Sequence, residues 1–442
     1  MVKSHWSSDS ASFHCEAFLA AVLSFSLLVS TTLATTPAPP LKGLVLWPDQ
    51  VRNRLDFASA ISLEFAYVLP CDLVRGLDPS GTPRYDWSPL DRLLDDIASR
   101  GHQAILRFRY EYPGEPLRGV RGATAVPACV KALPGYRETF SPNPNGDGPT
   151  HYADWSHPAL RAFTLRFFAD FAARYDADPR LAFLEVGFGH WSEWHTCGTP
   201  LRPGVNFPSR DYQADFLRRL ASLFSRTPWL LSIDAADPDT SPLASNPALL
   251  ALPFGLFDDS FMHRRHDIAQ GEGYNEKCWR ALDPDRWQRA PCGGEISYYS
   301  DKDQRDFLSP RGLYGVTFPA AAAKYHITFM IANDALEGPH GTPAAFRAAA
   351  DATGYRFRLL DARSDGDRLR FRIANEGVAP LCHDAYPTLG DAQSPQTLRG
   401  LLPGTSLDFD LPLGGLPPDA APARLRLLGP KLLPGTSIPL AR

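Results

Sequence analysis

The chain has 442 residues, with 45 basic and 49 acidic side chains and a formal net charge of -4. A balance this close to neutral, without a long run of one sign, gives no basis for binding nucleic acid or an anionic membrane surface. The length exceeds one ordinary compact domain, whereas a β/α barrel holds about 250 to 300 residues, so we expect one large and one small domain. The 42 prolines and 33 glycines are dispersed among apolar segments, which indicates structured loops rather than disorder.

The first 34 residues have the pattern of a secretory signal peptide. Lys3 precedes an apolar run from Ala17 to Ala34, and the small residues at its end suit a signal peptidase. We expect cleavage near Ala34, a linker over 35–42, a secreted or periplasmic product and no membrane contact after cleavage. An uncleaved membrane anchor is the alternative. Cleavage leaves six cysteines, which an oxidising compartment allows to pair, but their spacing selects no pairing.

Eight short apolar segments follow in a regular rhythm and predict strands. They are 43–47, 61–70, 103–112, 181–188, 229–236, 254–261, 293–299 and 327–334. Helical patterns with apolar residues three and four apart lie between them, as in 88–101, 157–175 and 211–226. Alternating strands and helices predict an α/β fold, a parallel (β/α)8 TIM barrel over 43–354.

The third segment, QAILRFRYEY, has two distinct faces because strand side chains alternate. One face is largely apolar and should meet the helices, whereas the other carries Arg107, Arg109 and Glu111 and should point into the barrel. Glu64 and Glu185 occupy comparable places in other strands. The favoured interpretation of these two glutamates is an internal ion-pair cluster with Arg107.

The texture of the sequence changes at Tyr355. Strict alternation begins there and turns at the Ser364 to Asp367 segment, SDGD, which is a hairpin signal. The remaining runs are short, separated by Pro and Gly, and none has a helical period. Residues 355–442 are therefore predicted to form a small C-terminal antiparallel β-sandwich.

Two glutamates are the candidates for chemistry. Glu193 lies in GFGHWSEWHT after the fourth strand, and Glu295 lies in PCGGEISYY, the seventh. Strands four and seven face each other across a barrel, so both carboxyls are expected at its carboxyl-terminal mouth. Glycoside cleavage needs such a pair, with one carboxyl to protonate the departing oxygen and a second to attack carbon or activate water. Neighbouring tryptophans and tyrosines offer flat surfaces for sugar rings.

Several longer motifs carry a family resemblance. ISLEFAYVLP, YDWSPLDRLLDDIASRGHQAILRFRYEYPG, FGHWSEWHT, FDDSF and APCGGEI resemble a bacterial family of secreted barrel proteins of unknown function. That family is similar to glycoside hydrolases of the large retaining barrel clan, and the match covers most of 43–355. The resemblance implies Glu193 as acid/base and Glu295 as nucleophile. Ser192 stands where the clan usually has an asparagine, and the tryptophan often found after strand eight is missing.

The predicted substrate site surrounds this pair. Its binding residues are Trp191, Trp194, His195, Arg107, Arg109, Tyr110, Glu111, Asp258, Asp259, Tyr298 and Asn333. A turn or helix cap is an equal alternative for the two aspartates. In the resembling clan, placement on strands four and seven leaves the carboxyls about 5 to 5.5 Å apart, which implies retention of the anomeric configuration. We expect a guanidinium from Arg107 or Arg109 to stabilise the ionised nucleophile.

The sequence motifs of other enzyme classes give little support to functions other than glycoside cleavage. A metal site built on His190, His195, His263 and His266 matches no zincin spacing, and we expect neither metal nor cofactor. The sequence has no G-x-S-x-G elbow, Rossmann fingerprint or P-loop. The main alternative is a barrel that binds carbohydrate without cleaving it.

Overall fold

The computed structural model describes residues 37–442, which form one compact unit. The predicted signal segment 1–34 lies outside the described residues. Eight parallel strands close into a barrel, as predicted. In chain order they are β1 (Gly43–Leu46), β2 (Leu63–Val68), β3 (Gln103–Phe108), β4 (Leu181–Glu185), β5 (Trp229–Ser232), β6 (Gly255–Phe261), β7 (Cys292–Ile296) and β8 (Phe329–Ile331). Each begins within two residues of its predicted start, and most end earlier because the polar mouth loops leave the sheet.

Twelve helices accompany the strands in the described chain. They are α1 (Pro48–Asn53), α2 (Pro70–Leu73), α3 (Ser88–Ser99), α4 (Ala128–Lys131), α5 (Pro158–Tyr175), α6 (Arg210–Leu223), α7 (Pro247–Leu250), α8 (Tyr274–Ala281), α9 (Asp301–Asp306), α10 (Phe318–Lys324), α11 (Pro343–Asp351) and α12 (Ala421–Arg424). In α3, Leu90, Leu94 and Ile97 are buried, and their spacing places them on one face. Short hairpins occupy the loops at Val74–Leu77 with Pro83–Tyr85, Pro116–Leu117 with Val120–Arg121, and Thr139–Ser141 with Thr150–Tyr152.

Alternation along the strands sorts the barrel into two apolar layers. On β3, Ala104, Leu106 and Phe108 pack in the layer between strands and helices, whereas Ile105 belongs to the barrel interior. This confirms the two faces predicted for β3. Glu64 is in a buried ion pair, but its predicted place inside the barrel with Arg107 was wrong. Its carboxylate accepts hydrogen bonds from Arg100 and contacts His102 at 2.7 Å, so it faces the helix layer while its neighbours on β2 face inward.

The C-terminal region contains two sheets. Its strands are β9 (Phe357–Asp365), β10 (Arg368–Asn375), β11 (Tyr386–Leu389), β12 (Ala392–Gln393), β13 (Ser406–Pro412), β14 (Arg426–Leu428) and β15 (Leu440–Ala441). The first sheet has the order β13-β10-β9-β15, and the second has the order β12-β11-β14. The predicted hairpin is present as β9 and β10, but β15 pairs with β9 in parallel, and α12 interrupts the region. Face-to-face packing as a sandwich, and a domain boundary at residue 355, stay predictions.

The C-terminal region covers the amino-terminal end of the barrel. Lys42, just before β1, donates to the carbonyls of Thr353 and Tyr355 at 2.6 and 2.8 Å. Gln103, at the start of β3, donates to the carbonyl of Lys431 at 2.6 Å. Side chains of both C-terminal sheets join the apolar cluster that fills the barrel interior. The opposite end, where the strands finish, is left to the loops that carry the candidate site.

Two further properties concern the described chain as a whole. No helix in residues 37–442 has both the length and the apolar character that a membrane crossing demands. Among the same residues, all six cysteines carry free thiols.

Candidate active site

The loop after β4 folds back on itself because two glycines permit close approaches. A Cβ added to Gly187 would lie 1.9 Å from the carbonyl oxygen of Ser192, and one added to Gly189 would lie 2.1 Å from that of His195. The backbone then closes with hydrogen bonds of 2.8 Å from the His190 amide to the His195 carbonyl and from the Trp194 amide to the Phe188 carbonyl. This tight fold presents Glu193 to the barrel mouth.

The same loop holds three non-glycine residues in left-handed backbone conformations. Trp191, Ser192 and Trp194 have φ values of 51°, 67° and 72°. Each such residue costs about 1 to 3 kcal/mol and persists only where its surroundings enforce it. Ser192 is held by a hydrogen bond from its hydroxyl to the Phe108 carbonyl. Three strained residues in one short loop indicate that contacts around the loop, rather than backbone preference, fix the position of Glu193.

A second pair of glycines positions Glu295 on β7. A Cβ on Gly293 would enter the Phe329 ring at 2.4 Å, and one on Gly294 would lie 2.0 Å from the Asp258 carbonyl oxygen. Only glycine therefore lets β7 fit between β6 and β8 in this register. Glu295 follows directly and faces inward, opposite the loop that carries Glu193.

Arg107 joins the two candidate glutamates and a third. Its Nη1 donates to Glu193 Oε1 at 2.7 Å, its Nε donates to Glu185 Oε2 at 2.7 Å, and its Nη2 lies 2.7 Å from Glu295 Oε1. The last contact is an ion pair without the alignment of a hydrogen bond. The guanidinium is fully buried, and Phe257 covers it at 4.4 Å from the ring centroid. The predicted ion pair between Glu185 and Arg107 is confirmed.

The charges of this cluster do not balance, so protons are retained. Burial is the main cause that raises the pKa of Glu193, to about 8, and the neighbouring Asp259 adds to it. Burial raises the pKa of Glu185 to about 7 against the attraction of Arg107. The pKa of Glu295 is also raised by burial, which contacts with Arg107 and the Tyr298 hydroxyl oppose. Burial of three carboxyls around one guanidinium favours the retention of protons, and a pKa of about 8 keeps Glu193 protonated at neutral pH.

His195 extends the cluster toward solvent. Its Nε2 lies 3.6 Å from Glu193 Oε2, and its Nδ1 lies 3.1 Å from the Cys197 sulfur. Burial alone lowers the pKa of His195, but the contacts with Cys197 and Glu193 outweigh it and raise the pKa well above its usual value. Glu193, His195 and Asp259 present possible metal-ligand atoms within 4.8 Å of one another. Arg107 and His195 already place positive charge beside Glu193, which disfavours a metal ion there.

Four predicted binding residues lie away from the mouth. Tyr110 donates to or accepts from Thr164 on α5, and Trp194 is 1% exposed against Phe188, so neither ring offers a surface to a sugar. Glu111 accepts from the Ala153 amide at 3.0 Å and supports a loop. Asp258 is saturated by His266, Asn275, Trp279 and the Ser260 amide in the helix layer. Strand alternation explains Tyr110 and Asp258, whose positions face the helices.

The remaining predicted residues do surround the pair. Trp191 is partly exposed beside Tyr112, with ring centroids 5.9 Å apart. The Tyr298 ring is half exposed, and its hydroxyl accepts a hydrogen bond from Asn333. Asp259 faces the mouth, unlike its neighbour Asp258, which lies in the helix layer. The charge of Asp259 acts on Glu193 and Glu295. The binding roles of these side chains stay predictions.

Sequence reasoning missed several side chains of the mouth. The Tyr67 hydroxyl lies 3.3 Å from Arg107 Nη1, and Asp234 after β5 has a pKa raised to about 7 by burial and by Asp259. Tyr67 shares the inward face of β2 with Leu63 and Phe65, so alternation applied to β2 as it was to β3 finds it. Asp234 lies in a short 3-10 turn, where no alternating pattern points to it.

An open cavity of about 570 Å³ lies among β2, α1, α2 and α3 and extends to Arg109 and Tyr112. Aromatic and charged side chains line it, among them Trp47, Tyr67, Tyr112, Arg52, Arg109 and Glu115. Tyr67 lines this cavity and also contacts Arg107 through its hydroxyl, so one tyrosine ring separates the cavity from Arg107. Its volume falls in the range of small-molecule sites.

Among known proteins, similarity to this chain is found with solved structures. No protein-family model matches the chain, and no curated protein sequence matches it. It is similar to endo-glycoceramidase II from Rhodococcus sp. in its ganglioside GM3 complex, with 13% identity, a TM-score of 0.44 and coverage of 85% of this chain and 97% of that one. It is also similar to the catalytic domain of β-amylase from Paenibacillus polymyxa, with 8% identity, a TM-score of 0.42 and coverage of 71% and 98%. These identities and TM-scores are too low to carry an argument about function, so the reaction has to be argued from the side chains.

Proposed function

We propose that the chain is a glycoside hydrolase acting on an oligo- or polysaccharide, with Glu193 as acid/base and Glu295 as nucleophile. The observation that carries the proposal is the convergence of both carboxylates on the guanidinium of Arg107 at the mouth of a closed barrel. Such a pair, flanked by partly exposed Trp191 and Tyr298, is the arrangement that glycosidic cleavage needs.

The two carboxyls differ in a way that suits the two roles. A pKa of about 8 keeps Glu193 protonated at neutral pH, so it can protonate the glycosidic oxygen as the bond from that oxygen to the anomeric carbon breaks. The Glu295 carboxylate, stabilised by Arg107, forms the new bond to the anomeric carbon. Water then attacks this carbon, gives a proton to Glu193 and displaces Glu295. The enzyme returns to its starting protonation state.

Both glutamates can be tested by isosteric replacement. Glu193→Gln and Glu295→Gln should each lower kcat on a susceptible glycan by about 100-fold or more, because each removes a proton donor or a nucleophile. Release of reducing ends from a glycan panel is the measurement. Glu376→Gln, in the C-terminal region, is the matched control and should retain activity. Full activity in either site variant contradicts the assignment.

Retention of configuration is part of the proposal. It is supported by placement of the carboxyls at β4 and β7 and by their shared contact with one guanidinium. Proton NMR of the first product formed should show the anomer of the substrate. Initial formation of the opposite anomer would mean that water attacks directly and that Glu295 acts as a base.

A carbohydrate binder without turnover is the second candidate. It is favoured by Ser192, which is buried and donates its hydroxyl to the Phe108 carbonyl, so it does not present a side-chain donor to a sugar as the clan's asparagine does. Glycan-array binding with no release of reducing ends from any bound glycan would support this candidate against the hydrolase.

Export of the protein is a further proposal. It is supported by the apolar run from Ala17 to Ala34 and by the small residues that end it. Sequencing the amino terminus of protein recovered from the culture medium or periplasm should place the cut near Ala34. Recovery of uncut protein from the membrane fraction would favour the anchor instead.

A further inference from the structure

Arg109 is a second arginine of the mouth, and its surroundings differ from those of Arg107. It follows Arg107 by two positions and therefore extends toward the same side of β3. Its guanidinium carbon lies 5.0 Å from the ring centroid of Tyr67 and 4.4 Å from that of Tyr112. Within residues 37–442 it has no hydrogen bond or ion pair, and its Nε is buried without a partner. The cation therefore contacts two adjacent aromatic rings, and its donors are not used by the described residues.

This guanidinium lies one tyrosine ring away from the catalytic pair. The Tyr67 ring that Arg109 contacts carries the hydroxyl that lies 3.3 Å from Arg107 Nη1. Tyr112, the second ring that Arg109 contacts, also contacts the Trp191 ring. Arg109 also lines the cavity of about 570 Å³, whose volume is that of a small-molecule site. Arg109 thus connects this cavity, through Tyr67, to the surroundings of Arg107.

We propose that Arg109 binds an oxyanion on the substrate, so that the chain acts on an anionic glycan carrying a uronate carboxylate or a sulfate ester. The inference rests on the proposed function and adds its substrate class. A partly buried, unpaired guanidinium is costly, and a planar fork of donors is best satisfied by two oxygens of one anion. The tyrosine rings hold this fork in place, which lowers the entropy lost on binding.

The other charges of the cavity restrict where the anion can lie. Arg52 is already paired with Asp96 at 2.7 Å, and Asp72 is paired with Arg118 at 3.0 Å. Asp49 and Glu115 are exposed carboxylates of this cavity. Water screens their negative charge, and neither would attract an anion. Arg109 is thus the cavity cation that is free to bind one.

Matched pairs of charged and neutral ligands test the proposal. Calorimetry with full-length Glu193→Gln would compare trigalacturonate with its methyl ester, and a sulfated neocarrageenan tetrasaccharide with its desulfated form. In one pair the charged member should bind about tenfold more tightly, the effect of one charged hydrogen-bonded contact. The pair that shows the preference identifies the anion as carboxylate or sulfate.

Variants then assign the preference to one residue. In the same background, Arg109→Gln should abolish the preference, Arg109→Lys should retain part of it, and added salt should weaken it. Arg52→Gln, whose arginine lines the cavity but is already paired, should leave the preference unchanged. Should Arg109→Gln fail to fold, the lysine variant and the salt dependence provide the same comparison.

The outcomes separate this inference from the proposed function. Equal binding within both pairs, binding of neither charged probe, or a preference that survives in Arg109→Gln overturns the inference, while cleavage of neutral glycans would still support a glycosidase. Preferential anion binding that depends on Arg109, without turnover of any glycan by the natural sequence, supports the inference and removes the proposed hydrolysis.

Discussion

Single residues at the mouth derive their chemistry from one shared cation. Arg107 contacts Glu185, Glu193 and Glu295, and Glu193 alone of the three also lies 3.6 Å from His195. The effect on each carboxyl depends on its other neighbours: Asp259 adds negative charge beside Glu193 and helps it to hold a proton. Differences between chemically identical glutamates thus come from neighbours that are distant in sequence.

The proton of Glu193 can be followed in the pH profile. If it is the general acid, kcat/KM should fall as pH rises through about 8. Asp259→Asn removes a repelling charge, so ionised Glu193 becomes less costly, its pKa falls and the alkaline limb moves to lower pH. Asp211→Asn, on the exposed surface of α6, should not move it. An unmoved limb in the Asp259 variant would assign it to another group.

Arg107 should also support stability. Arg107→Met leaves three glutamates without their cation and should lower the free energy of unfolding by about 3 to 5 kcal/mol near neutral pH. The loss of Arg107 raises the carboxyl pKa values of the folded state further above the unfolded value. Their contribution is then present at low pH and lost as pH rises, so the deficit should shrink between pH 8 and pH 5.

Urea unfolding at the two pH values measures this deficit. Arg166→Met, which breaks an exposed pair with Asp170 on one helix, is the control and should cost about 0 to 1 kcal/mol. A deficit for Arg107→Met that is as small, or that grows toward acid, contradicts the account.

At the scale of elements, the loop after β4 shows which features of a candidate site can be predicted from the sequence. Its composition, one acid among Trp and His residues after an apolar strand, marks it as a candidate site. The close approaches that require Gly187 and Gly189 involve the backbone of Ser192 and His195 and become visible only when the loop is folded. The same is true of Gly293, whose missing side chain makes room for Phe329 on another strand.

Gly189→Ala tests the role of this loop. The added methyl group would meet the His195 carbonyl, so the loop must open and displace Glu193; a shift near 1 Å lowers kcat by about 100-fold. Gly101→Ala provides the comparison, because Gly101 also has a positive φ of 80° but has no neighbouring atom within 4 Å. It should cost about 1 kcal/mol of stability and leave kcat unchanged. Equal kcat values for the two variants would contradict the argument.

At the scale of the whole molecule, the C-terminal region closes the barrel end that lies opposite the site. Lys42 is 2% exposed and joins the start of β1 to the carbonyls that lead into β9. Burial lowers its pKa to about 7, partly opposed by Asp351. The junction is therefore sensitive to pH although it is remote from the candidate catalytic pair.

The sign of that sensitivity follows from the lowered pKa. The unfolded chain binds more protons than the folded chain between pH 7 and the ordinary lysine range, so this group's contribution to stability is lost as pH falls through about 7. The free energy of unfolding of the natural sequence should rise from pH 6.5 to 9.5 relative to that of Lys42→Met. Lys302→Met, on the surface, should give a parallel curve. A parallel curve for Lys42→Met would contradict the argument.

Sequence alone determined the eight strands, the barrel and the two glutamates that face each other, because hydrophobic periodicity and chain order are local properties. Tertiary structure decided which polar residues meet. Glu64 pairs outside the barrel, Tyr110 and Asp258 face helices, and Tyr67 enters the site, all because burial and partner choice depend on segments distant in sequence. The same holds for the closure of the barrel by the C-terminal region, since a strand's alternation specifies that it has a buried face and not what covers it.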